Sequence, residues 1–138
     1  LHTPYQFIDI AGDYIANIHL KDYQVVAVPG GIALRRASLG EGFIPLADMA
    51  KRIKELVSCE NVSMELAAHP DRVCRINDPS YYEHEKTTAL DRKCFHDFIK
   101  EIIIPNNVKL TDKGDTMTKL EIDQTLISCA VMKRMFEK

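Results

Sequence analysis

Apolar and polar side chains alternate along residues 14–20, with Ala16, Ile18 and Leu20 on one side and Asn17 and His19 on the other. Strict alternation is the pattern of a half-buried strand. It returns over residues 61–66, where Val62, Met64 and Leu66 oppose Ser63 and Glu65. Between the two, Leu46, Met49, Ala50, Ile53, Leu56 and Val57 recur at helical spacing, with Asp48, Lys51, Lys54 and Glu55 on the other side, so a helix is predicted from Pro45 onward. The unit reads strand, loop, helix, strand. Such alternation argues for a parallel sheet with right-handed crossovers. If the apolar faces pack on helices, His19 and Glu65 project from one polar face near the carboxyl edge, where parallel sheets build their sites.

The remaining segments are read in the same way. Thr3-Pro4 followed by an apolar run and Gly12 predicts a short first helix, with a cap, an early proline and a terminating glycine. Residues 21–43 show no sustained period, and Pro29-Gly30-Gly31 and Gly40-Glu41-Gly42 mark turns, so a long functional loop is predicted there. Residues 67–79 form a second loop. Ser80 and Glu83 have capping-box spacing ahead of a helix over about residues 81–103 with the stripe Leu90, Cys94, Phe95, Phe98, Ile99 and Ile102. Thr118 and Glu121 repeat that spacing before a final helix over about residues 118–136, whose apolar stripe is broad. Two strands alone do not make a stable sheet. Either further strands hide among these segments, or the chain is the tail of a larger barrel.

Composition narrows the classes. The chain has 138 residues, 46% hydrophobic and 28% charged, enough for one domain with a core. A formal net charge of −2 offers no footprint for nucleic acid or an anionic membrane. No apolar run approaches the roughly 20 residues of a membrane span, and no signal peptide is evident, so a cytoplasmic location is expected. The cysteines at 59, 74, 94 and 129 lack any Cys-x-x-Cys pair and are expected to be reduced, mostly buried apolar residues. The chain opens on Leu1 inside a helix-like segment, which points to a missing amino-terminal part.

The order Ile18-His19-Leu20-Lys21-Asp22, Gly40-Glu41-Gly42 with a following helix, then Met64-Glu65-Leu66 resembles the last two strands of the sugar isomerase/epimerase group with a xylose isomerase-like TIM barrel. That group includes ketose 3-epimerases, hydroxypyruvate isomerase-like proteins and inosose dehydratases, and is related to the endonuclease IV enzymes. The resemblance spans residues 5–104 and implies an α/β chain forming the carboxyl-terminal portion of a (β/α)8 barrel, with domain limits 1–105 and a linker and helix at 106–138. It implies that His19 and Glu65 are two of four metal ligands, the other two coming from earlier strands that lie outside this chain. It also implies that Arg36, four residues before Gly40, contacts substrate oxygens. A barrel needs about 250 residues, so this chain alone is expected to be inactive.

The chemistry of the residues agrees with that implication. Mn²⁺ or Mg²⁺, with Co²⁺ or Zn²⁺ also admissible, accepts carboxylate with imidazole and polarises a sugar carbonyl and its neighbouring hydroxyl. Glu65 is then the catalytic group, abstracting the proton next to the carbonyl to give an enediolate-like species. The expected partner is a sugar or sugar-derived small molecule, with no nucleic acid and no membrane, and homo-oligomer formation is compatible with the reading. Other readings stand beside it. Alone, His19 is an ordinary hydrogen-bonded histidine, Arg36 a solvated loop cation, and Gly40-Glu41-Gly42 only a turn. A carboxylate at Glu65 among apolar neighbours needs a partner or an ion. His69, His84 and His96 read as surface or capping residues, and Tyr81 and Tyr82 as packing at a helix start. Two rival functions remain: an endonuclease IV-like phosphodiesterase, and an inactive barrel piece whose last helix mediates association.

Overall fold

The computed structural model describes residues 3–56, 61–65, 70–83, 86–105 and 115–136. Among these the architecture is mixed α/β with two small sheets and no closed barrel. Helix α1, Pro4–Ala11, begins as predicted: Thr3 and Gln6 form a reciprocal capping box and Pro4 sits in the first turn. A single 3-10 turn at Gly12–Tyr14 leads into β1, Asn17–Leu20.

The predicted long loop is the first correction. Residues 22–37 form a hairpin of β2, Asp22–Val28, and β3, Gly31–Ala37, paired antiparallel from Asp22 opposite Ala37 to Val28 opposite Gly31. Pro29 and Gly30 make the turn, and Gly30 has a φ of 78°, a left-handed conformation that glycine adopts without steric cost. The strands escape a period-two reading because β2 lies inside a four-stranded sheet, with a strand on each side, and buries Val25 and Val26 on opposite faces. The signal that could have found them is the β-branched run broken by Pro-Gly. The partner strands are short: β5, Arg72–Cys74, and β6, Ile103–Ile104. Arg35 of β3 grips the enclosed side chain of Asp71, just ahead of β5, through Nε at 3.1 Å and Nη2 at 2.7 Å.

Helix α2, Leu46–Leu56, and strand β4, Asn61–Met64, appear where the pattern put them. Strand β4 pairs parallel with β1, Asn17 opposite Asn61 through Leu20 opposite Met64. Their apolar faces, Ile18, Leu20, Val62 and Met64, pack with Leu39 and Leu46 in one core cluster. A second cluster, Val25, Ile32, Ile76 and Ile99, joins the four-stranded sheet to α3.

Helix α3, Ala89–Ile102, starts later than predicted. Ser80 lies in a 3-10 turn, Pro79–Tyr82, capped by Asp78, and Glu83 closes that turn. The true box is Thr88 with Asp91, whose carboxylate accepts from the Thr88 amide at 2.8 Å while the Asp91 amide donates back to the Thr88 hydroxyl at 3.1 Å. Thr88→Ala is therefore expected to cost about 1 kcal/mol. Glu83→Ala is expected to leave the urea midpoint unchanged, and equal effects of the two would contradict this helix start. Of the two tyrosines expected to pack at a helix start, Tyr82 is buried and its hydroxyl meets half-buried His96 Nε2 at 3.0 Å, while Tyr81 is exposed and meets the Tyr82 ring edge-on.

Helix α4, Asp115–Phe136, begins before Thr118, which lies within it and is not its cap. Val131, Met132, Met135 and Phe136 pack on the Leu20 cluster. Residues 106–114, the linker of the predicted carboxyl-terminal part, lie outside the described residues, as do Val57, Cys59, Leu66, His69 and His84. The expectation of buried cysteines is corrected: Cys94 and Cys129 are exposed and Cys74 is half-buried, all three free thiols. No helix among the described residues is long and apolar enough to cross a membrane.

Candidate functional site

The parallel register sets the site. With His19 opposite Ser63 and Leu20 opposite Met64, Glu65 emerges beside Lys21, and its amide donates to the Leu20 carbonyl at 3.0 Å. Because alternate side chains share a face, Asn17, His19, Ser63 and Glu65 stand on the side opposite the core, all of them exposed. His19 Nδ1 lies 3.5 Å from Glu65 Oε2, and the Lys21 ammonium pairs with Glu65 Oε1. The Lys21 hydrogen bond foremost, and then His19, holds the Glu65 carboxyl below its ordinary value, so it is ionised at neutral pH. Asn17 Nδ2 meets His19 Nε2 at 3.0 Å. Turned over, the Asn17 amide would present its oxygen to an Nε2 proton and leave Nδ1 as the lone-pair donor facing Glu65.

The separation of 3.5 Å suits two neighbouring ligands on one ion, each bonding at roughly 2.1 Å. The pair fits a divalent cation as two donors. Among the described residues, no cluster of three or more histidine, cysteine, aspartate or glutamate side chains gathers there or elsewhere.

Arg36 reaches this site from below. It sits near the end of β3 with its side chain buried, and its Nη1 donates to the Glu65 main-chain carbonyl at 2.7 Å. Its guanidinium lies over the Tyr23 ring, 5.6 Å from the centroid, and Nη2 approaches the Tyr23 hydroxyl at 3.4 Å. Gln124 of α4 donates to the Arg36 carbonyl at 3.1 Å. Among the described residues, Arg36 Nε is the buried side-chain polar atom without a hydrogen-bond partner.

Two residues carry more than their sequence positions revealed. Lys21 is the direct ionic partner of Glu65. Asp22, fully buried, accepts from the amides of Tyr23 at 2.9 Å, Gly40 at 2.9 Å, Gly42 at 3.0 Å and Ile44 at 3.2 Å. Its carboxylate is thus the post around which the Gly-Glu-Gly segment turns toward α2. The readable signal was an acidic residue directly after a strand with a two-glycine turn downstream. Comparisons with protein families, with curated proteins and with solved structures found no match.

Proposed function

We propose that this chain is the carboxyl-terminal portion of a xylose isomerase-like (β/α)8 barrel, supplying the last two strands of a sugar isomerase or epimerase. The observation that carries the reading is the register of β1 and β4, which brings His19 and Glu65 side by side on the polar face at the carboxyl ends of adjacent parallel strands. Parallel-strand carboxyl ends are where barrels gather catalytic side chains. Among the described residues, this sheet contains only these two strands.

His19 and Glu65 would hold the cation, Mn²⁺ or Mg²⁺. A bound divalent ion supplies Lewis acidity toward a carbonyl and its neighbouring hydroxyl. Glu65, ionised at neutral pH, then takes the proton from the carbon next to the carbonyl; delivery of a solvent-exchanged proton to the other face, by a second acid from the strands outside this chain, gives an epimer, and delivery to the adjacent carbon an isomer. Arg36 is the proposed substrate contact by the resemblance; its Nε is enclosed, so reaching a substrate oxygen requires its guanidinium to leave the Glu65 carbonyl.

In the protein that carries the remaining strands, Glu65→Gln is expected to abolish solvent-deuterium incorporation into a ketose or inosose and to weaken Mn²⁺ binding at least about tenfold, one ligand bond being worth that much or more. Unchanged exchange together with unchanged metal content would overturn the reading.

A further inference from the structure

Resting on that reading, we propose that Lys21 is a resident counter-cation of the ligand carboxylate. Its ammonium holds one oxygen of Glu65 beside the position a divalent cation would take at the other, and so sets how tightly such an ion is held.

The geometry assigns the two oxygens of Glu65 to different neighbours. Oε2 faces His19 Nδ1 at 3.5 Å, while Oε1 is taken by the Lys21 ammonium. His19 and Lys21 are two residues apart along one chain segment and both meet Glu65, so an ion seated between His19 and Glu65 has the Lys21 ammonium on the other oxygen of the same carboxylate. Stability does not account for the pair. Its side chains are 34% and 46% exposed, and ion pairs this open to water contribute little to stability. The Glu65 carboxylate is wet enough to remain ionised without a dedicated cation. Nor is Lys21 part of the apolar packing, because Leu20 before it points into the core cluster and Lys21 does not.

Lys21 is therefore best understood through what it does to a competing cation. It keeps Glu65 aimed at the His19 side, and it opposes the ion by like-charge repulsion. A single positive charge about 5 Å from a divalent ion, in a water-like dielectric, weakens its binding roughly tenfold. Weakened retention of this kind makes the ion exchangeable and lets a neutral sugar compete for its coordination positions.

The test is Mn²⁺ binding to the protein that carries the remaining strands, at fixed pH and low salt, read from the free-ion electron paramagnetic resonance signal. Wild type would be compared with Lys21→Met, Lys21→Gln, Lys21→Arg and Glu65→Gln. Lys21→Met and Lys21→Gln are expected to tighten binding about tenfold, with the gain shrinking as salt is raised. Lys21→Arg, which keeps the charge, is expected to stay at the wild-type value. A role confined to folding would shift the melting temperature and leave the charge-dependent ordering of affinities unmoved. If Mn²⁺ binds in a Glu65-dependent manner and the neutral variants bind it no more tightly than wild type, the counter-cation is overturned and the metal site survives. If no variant binds Mn²⁺ through Glu65, both fall together.

Discussion

Asp22→Ala is expected to lower the stability of the chain by about 3–5 kcal/mol, the range for removing one partner of a buried charged network. The carboxylate is fully buried and accepts four main-chain amides, those of Tyr23, Gly40, Gly42 and Ile44. No cation pairs with it among the described residues, so these four amides are what compensate its desolvation. Each buried donor left without an acceptor costs about 1–3 kcal/mol. The loop can relax and let water reach some of them, so the total falls short of the sum. For a chain of this length the loss corresponds to a melting temperature lower by roughly 10–20 °C. Asp22→Asn separates charge from shape. Its amide nitrogen would face two donors in place of one carboxylate oxygen, so it is expected to recover less than half of the loss. Melting of Asp22→Ala within a degree or two of wild type would show that Asp22 does not hold the loop.

Much of the half-site was legible in the sequence, for one reason. Strands β1 and β4 each have one wet face and one packed face, and that asymmetry writes itself as alternation at Ile18, His19 and Leu20 and again at Val62, Ser63 and Met64. Helix α2 was legible because Leu46, Ala50 and Ile53 all turn inward. The hairpin was not, since β2 is covered on both faces and its apolar residues run together as Val25-Val26. Helix α4 shows the opposite failure. Its inward face carries polar residues: Ser128 accepts from the Leu39 amide at 3.0 Å and Gln124 donates to the Arg36 carbonyl, while Ile122, Leu126 and Ile127 are exposed. A helix that buries glutamine and serine to satisfy loop backbone cannot display a clean apolar stripe, so its stripe reads as broad. Lys21 and Asp22 were visible as residues and silent as to role, because their partners lie 44 and 18–22 positions away.

The two glycines of Gly40-Glu41-Gly42 look equivalent in sequence, and substituting them is expected to show that they are not. Gly40 has a φ of 86°, and a methyl group there would meet only Val131 Cγ1, at an ordinary 3.8 Å. Gly40→Ala therefore carries the backbone cost alone, about 1–2 kcal/mol. At Gly42 the backbone is unstrained and the space is closed: a methyl group would overlap the Asp22 carboxylate and the Tyr23 carbonyl. Neither neighbour can give way cheaply. The carboxylate is fixed by its four amides, and the Tyr23 carbonyl accepts from the Phe43 amide at 2.8 Å. Gly42→Ala is accordingly expected to cost about 3 kcal/mol or more, at the upper end of overpacking and with ladder and loop hydrogen bonds disturbed as well. Urea unfolding of the two single variants checks the order, and Gly40→Ala costing as much as Gly42→Ala would contradict it. The source of the clash is open to a double-mutant cycle. In an Asp22→Ala background half of the obstruction is gone while the Tyr23 carbonyl remains, so the penalty of Gly42→Ala should shrink by at least about 1 kcal/mol without vanishing, the coupling expected of groups in direct contact. Strict additivity of the two substitutions would mean that the cost at Gly42 does not come from contact with the Asp22 carboxylate.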